Sequence, residues 1–207
     1  MRVFKPNKLF LPRNFDKPQI SENCYVEIGA GRGLHALQFA QANPDKQLIA
    51  IERTRVKFED FAQRIDKVRA QKQRLKNLTP VHADAIPWLV HALPPQSLNG
   101  VFLLYPNPEP KNAAQRWLNM PFFEFLLSRL KPEAKIILAT NIEEYFAEAK
   151  QQAETLWQLP MKAFEVDKES RRTHFEIKYL ARGESCYQLE IYKPADYQTR
   201  FDQWALA

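Results

Sequence analysis

The chain has 207 residues, 45% of them hydrophobic, which is enough to bury a full-sized core and too short for most two-domain arrangements. Its 30 Lys and Arg against 24 Asp and Glu give a formal net charge of +6, a modest pull towards polyanions such as RNA. Cys24 and Cys186 stand far apart without partners at metal-ligand spacing, no apolar run approaches the roughly 20 residues that span a bilayer, and the start Met1–Pro6 lacks a secretory h-region, so a cytoplasmic protein with no disulfide, metal or membrane segment is expected.

Residues 1–23 are rich in Pro, Asn and Lys and lack periodicity, which reads as an arm draped over the surface or partly disordered, ahead of one domain over 24–207. Apolar runs of strand length follow at Tyr25–Ile28, Leu48–Ile51, Val81–Ala83, Val101–Tyr105 and Lys135–Ala139. The stretches between them are mostly long enough for helices. This alternation predicts an α/β fold: a Rossmann-like, doubly wound, mostly parallel sheet covered on both faces. Helices are expected at about 34–42, 121–130 and 143–157, the last ending before Pro160. The clearest helix follows the second strand, where Phe58, Phe61, Ile65, Val68 and Leu75 form one apolar stripe. Arg53, Arg55, Lys57, Arg64, Lys67, Arg69, Lys72, Arg74 and Lys76 flank it, first as a solvated helix surface and second as an RNA-facing one. After Pro160 comes a polar loop, then a short segment ending at Gly183, then the alternating run Cys186–Tyr192. Alternation implies unlike faces, as in an antiparallel C-terminal edge strand.

The sharpest local signal is Glu27-Ile28-Gly29-Ala30-Gly31-Arg32-Gly33, where the first strand gives way to the first helix. Glycines there permit a tight turn and the close approach of a ligand, and the helix start offers free N–H donors. A dinucleotide fingerprint would place its third glycine at position 34, which is Leu, so a nicotinamide-dependent dehydrogenase is disfavoured. The acid followed by G-x-G-x-G instead resembles the first motif of the class I S-adenosylmethionine methyltransferases. That resemblance implies S-adenosylmethionine as cofactor, with Gly29, Gly31 and Gly33 in its turn and Glu27 serving the methionine end. It also implies Glu52 as the fork for the ribose hydroxyls and Asp84 beside the adenine. Taken singly, each acid is equally well a helix cap or a solvated loop end.

A second resemblance is carried by Leu104-Tyr105-Pro106-Asn107-Pro108-Glu109-Pro110-Lys111, by Ala139-Thr140-Asn141, by Thr173-His174-Phe175-Glu176-Ile177-Lys178-Tyr179 and by Tyr187-Gln188-Leu189-Glu190. In that order, across about residues 25–193, they resemble the bacterial tRNA (guanine-N7)-methyltransferases, with their (F/Y)-P-D-P-W-P-K and T-x-(F/Y)-E-x-K-(F/Y) segments. The resemblance implies methyl transfer to a guanine N7 in tRNA. It puts Asn107 at the point of transfer, with Lys111, Asn141, Thr173 and Glu176 handling the guanine and nearby phosphates. The chain departs from the pattern where Asn107 and Asn141 replace aspartates, where Glu109 replaces tryptophan, and where Asn112–Arg116 replaces a basic cluster.

Other functions remain open on the same residues. Asn107-Pro108 half matches the N-P-P-(Y/F) of amino-methyltransferases acting on an exocyclic base amine or a protein amide. A catalytically impaired RNA-binding relative is a third reading, and two prolines around Asn107 also suit a mere rigid strand exit. Phe175 and Tyr179, four apart, read as core contacts of a short helix. His174 reads as a surface histidine, and Trp88, Trp117 and Trp157 as core or interface residues.

Overall fold

The apolar runs become strands because their successive residues face two separate cores. Strands β1 (Cys24–Ile28), β2 (Gln47–Glu52), β3 (Leu78–His82), β4 (Leu98–Leu104) and β5 (Leu130–Thr140) run parallel. Helices α1 (Leu34–Ala42), α2 (Arg55–Ala70), α3 (Ala85–Ala92) and α4 (Phe122–Arg129) connect them. Then follow α5 (Glu143–Gln151), β6 (Met161–Glu165), α6 (His174–Ala181) and β7 (Tyr187–Tyr192). The sheet order is β3-β2-β1-β4-β5-β7-β6, with β7 antiparallel to both neighbours. The computed structural model describes residues 2–70 and 75–205; Lys72 and Arg74 of the basic stretch lie outside the described residues.

Side-chain alternation divides the interior. In β2, Leu48 and Ala50 join the core made with α1 and α2, while Ile49 and Ile51 join the core made with α3, α4 and α5. Phe102 and Leu104 of β4 go with the first core, Val101 and Leu103 with the second. With both faces covered, these strands read as continuous apolar runs rather than as alternation. Each large side chain so buried contributes about 1.5–3 kcal/mol.

The fold class is as expected, and three local features differ from the sequence reading. Helix α3 was hidden because Trp88, Leu89, Val90 and Ala92 are all buried, leaving no polar face to mark a helical period. Strand β7 is not the edge: β6 pairs with it through Met161↔Ile191 to Glu165↔Tyr187 and closes the sheet. All but the first residue of β6 are exposed, so a true edge strand carries the composition of a loop. The helix expected over 143–157 ends as α5 at Gln151 and continues as a π-helical turn, Gln152–Leu156.

Residues 2–23 and the C-terminal segment meet on α4. The Phe4 ring lies 5.3 Å from Phe122 and 6.1 Å from Phe201, and Trp204 Nε1 donates to Asn7 Oδ1 at 3.1 Å. Beneath them the wholly buried Arg129 donates to the carbonyls of Leu93, Phe201 and Trp204 at 2.9, 2.8 and 3.2 Å. Burial pulls its pKa down to about 10, and the three carbonyls supply the acceptors that a buried guanidinium requires. Among the described residues no helix is long and apolar enough to cross a membrane, and no group of three His, Cys, Asp or Glu has metal-binding geometry.

Candidate active site

The chain leaves β1 in one direction towards β2 and β3, and returns on its other side to β4 and β5. Such a reversal opens a crevice at the carboxyl ends of the strands. Here it is a cleft of about 710 Å³, walled on one side by Gly29, Gly31, Glu52 and Asp84 and on the other by Tyr105–Glu109, Asn141, Phe175 and Tyr179.

The first wall is mainly backbone. Gly29 N and Ala30 N both donate to Ile51 O, at 2.8 and 2.9 Å, tying the loop to β2. Gly29 and Gly31 have φ of +79° and +59°, and a Cβ on either would enter open space, so the backbone itself lines the cleft. Glu52 is buried; its Oε2 accepts from Gly31 N at 2.8 Å and its Oε1 from Thr54 N at 2.7 Å. Each oxygen keeps a further lone pair. Asp84 caps α3 through Ile86 N at 3.1 Å and still borders the cleft.

Two residues expected at this wall lie elsewhere. Gly33 (φ +76°) starts α1 away from the cleft, where an added Cβ would sit 1.9 Å from the Phe61 ring; glycine is needed there for helix packing. Glu27 is buried and bonded to His35 Nδ1 at 3.0 Å, and it does not line the cleft. The sequence reading did not pick out His35. As the second residue of α1 it had no distinguishing spacing, and only the fold turns it back against Glu27.

The second wall is built of side chains held by side chains. Tyr105 leaves β4 at φ +51°, and its hydroxyl donates to Glu176 Oε2 at 2.7 Å. Burial, with bonds to Cys186 and Glu176, raises its pKa and keeps it a neutral donor. Glu176 is fully buried. Burial pushes its carboxyl up, but hydrogen bonds from Arg172, Ser170 and Tyr105 outweigh that and hold it below the usual range. Thr173 caps α6, its Oγ1 accepting from Glu176 N at 3.0 Å. Thr173 and Glu176 thus stand behind the wall, and the α6 residues on the cleft are Phe175 and Tyr179.

At the mouth, Asn107 Nδ2 donates to Glu109 Oε1 at 2.9 Å, and Glu109 N reaches Asn107 Oδ1 at 3.4 Å. This loop is bolted to α5 by Arg116, a buried residue whose Nε donates to Pro108 O at 2.8 Å. The same guanidinium pairs with Glu144 and Glu148 and lies 5.3 Å from the Tyr145 ring centre. The sequence showed Arg116 only as the remnant of a basic cluster. Asn141 lines the cleft, its Nδ2 donating to Glu184 Oε2 at 2.8 Å, while Lys111 is exposed outside it. His174 is exposed; partial burial, Arg64 and Arg32 lower its pKa, so it is neutral at physiological pH.

A seven-stranded sheet in this order, with a single inserted antiparallel strand and a glycine loop at the switch point, defines a class I methyltransferase fold; that class takes its methyl group from S-adenosylmethionine. The structure is similar to the 16S rRNA methyltransferase KamB, with a TM-score of 0.62 and 16% identity over 83% of this chain and 88% of that one. It is also similar to phosphoethanolamine N-methyltransferase 2 of Haemonchus contortus in complex with S-adenosyl-L-methionine, with a TM-score of 0.52 and 15% identity over 86% and 50% of the two chains. The chain belongs to the family described as "Putative methyltransferase", whose model matches residues 21–189. Several curated relatives are named tRNA (guanine-N(7)-)-methyltransferase. That of Nitrosospira multiformis is 34% identical over 58% of this chain and 52% of that protein, and that of a Ruegeria species is 32% identical over 89% and 62%. The chain spans about half the length of several of the curated relatives it matches.

Proposed function

We propose that this chain transfers a methyl group from S-adenosylmethionine to the N7 of a guanine in tRNA. The observation that carries the reading is the bond between Asn107 and Glu109 on the cleft wall. It returns a carboxylate to the place where the resembled motif has aspartate and this chain has asparagine. Guanine N7 has a lone pair and no proton to lose, so the site must orient the base and stabilise the positive charge it acquires. Glu109 meets the second need, and Asn107, held by Glu109, meets the first.

The cofactor supplies a methyl group on a sulfonium, whose positive charge makes that carbon electrophilic. The residues present fit it: Gly29 and Gly31 let it lie against backbone, and Glu52 offers its remaining lone pairs to the ribose hydroxyls. Asp84, which lines the cleft, would border the adenine; Gly33 sets the start of α1; and Glu27 with His35 would support the methionine end from beneath the loop. Asn141 meets the edge of the base, and Lys111 with the net charge of +6 favours the phosphates. Thr173 and Glu176 act by positioning Tyr105 and α6.

Incubating the protein with methyl-labelled cofactor and unmodified cellular tRNA, rRNA and protein tests this. Label is expected in 7-methylguanosine of tRNA. Label in a base amine or a protein side chain would replace the reading.

A further inference from the structure

The spacing of Phe175 and Tyr179 suits core contacts, yet Phe175 is 42% exposed and both rings line the cleft. The two rings are nearly parallel, at 19° with centres 6.0 Å apart. Tyr179 is itself backed by Tyr105, at 5.8 Å, whose hydroxyl is locked to the buried Glu176. The exposed ring therefore stands on a rigid support, because α6 is capped by Thr173 and anchored through Glu176. From the opposite wall Lys57, in the first turn of α2, brings its Nζ to 5.8 Å from the centre of the Phe175 ring. That is near the outer limit of a cation–π contact, and a flat group can displace it.

A base inside an RNA helix is covered on both faces by its neighbours, so it reaches a narrow cleft only after unstacking. An aromatic face at the cleft mouth replaces the stacking that is lost, and it does so for any base, because Phe has no hydrogen-bonding group. We propose that Phe175, supported by Tyr179, is the stacking platform for an unstacked purine of the substrate RNA, and that Lys57 neutralises the phosphate beside it. The inference rests on the RNA-methyltransferase reading above. Choice of base then falls to the amides of Asn107 and Asn141 on the same cleft, and the ring sets only how well the base is held.

The test compares Phe175→Ala, Phe175→Leu and Phe175→Tyr in methyl transfer to unmodified tRNA, with cofactor affinity and thermal midpoint measured alongside. Phe175→Ala should lower kcat/KM by roughly 5- to 150-fold, the range of a lost base–aromatic stack. Leu should rescue little, Tyr should restore most of the rate, and cofactor affinity should stay unchanged throughout. Lys57→Ala should reduce the slope of log affinity for tRNA against log salt by about one unit or less. If Phe175→Leu matches wild type, an apolar surface suffices and the platform is overturned. Wild-type protein that labels no RNA overturns the reading beneath it instead.

Discussion

On the glycine-loop wall of the cleft, ligand-facing groups are backbone atoms and the carboxylates of Glu52 and Asp84, tied down within a turn or across the β1–α1–β2 unit: Gly29 and Ala30 to Ile51, Glu52 to Gly31 and Thr54, Asp84 to Ile86. On the facing wall most groups are side chains, and two of them are held from distant parts of the chain, Tyr105 by Glu176 and Asn141 by Glu184, while Arg116 holds the Pro108 carbonyl from within the same loop region. A wall of backbone is specified by which residues are small; a wall of side chains is specified by which residues happen to meet. Changes to the first should therefore act on cofactor binding, and changes to the second on the acceptor and on stability, with little crossing over.

The largest effect is expected from Glu176→Ala, which leaves Arg172 without its partner and Tyr105 without its acceptor. Loss of a buried pair costs 3–5 kcal/mol, and because Arg172 is partly open to water about 3 kcal/mol should be lost, read by urea denaturation. The native carboxyl has a lowered pKa, so its contribution is complete above the ordinary carboxylate range and is lost as pH falls through the native value. Wild type should accordingly lose more stability than Glu176→Ala on acidification below that range. Equal slopes would show that the buried network does not support this wall.

Next, Gly33→Ala puts a Cβ 1.9 Å from Phe61 at a left-handed φ, and should cost about 2–3 kcal/mol, with a lower midpoint in thermal melts. A variant as stable as wild type would mean that α1 and α2 slide freely, and that the loop is less rigid than its backbone bonds imply. Glu52→Ala removes one charged acceptor for two hydroxyls, and cofactor affinity should fall by about 1–3 kcal/mol in calorimetry, with tRNA affinity unaltered. Unchanged cofactor affinity would remove Glu52 from the ribose.

The smallest effect sharpens the contrast most. Glu109→Gln should slow single-turnover transfer by about 1.5–2 kcal/mol, or ten- to thirtyfold, because the carboxylate held by Asn107, proposed to stabilise the methylated base, is lost. Adding Asn107→Asp to that variant should return most of the rate by moving the charge two residues back. If Glu109→Gln is fully active, no anion is needed there and the N7 assignment loses its support.

Both walls were legible to different depths in the sequence. The glycine loop and the acids at the ends of β1, β2 and β3 stood out because they lie at strand ends, where period and composition change together. Arg116, His35 and Glu109 did not stand out, since nothing in their neighbours shows whether an Arg, a His or a Glu is solvated or built in. Phe175 misled for a related reason: an aromatic pair four apart on a helix has the same spacing whether it faces a core or a cleft.

The sequence by itself determined the α/β alternation, the parallel core strands and the position of the glycine turn, because these follow from short-range period, strand length and the steric freedom of glycine. Tertiary structure alone decided that β6 closes the sheet beyond β7, that Glu27 turns inward to His35, and that Glu109 stands beside Asn107. It also decided that Phe175 reaches the cleft from a helix nearly at the end of the chain. The physical reason is that burial and partner choice for a charged or aromatic side chain depend on elements far away in sequence, which no local pattern of residues encodes.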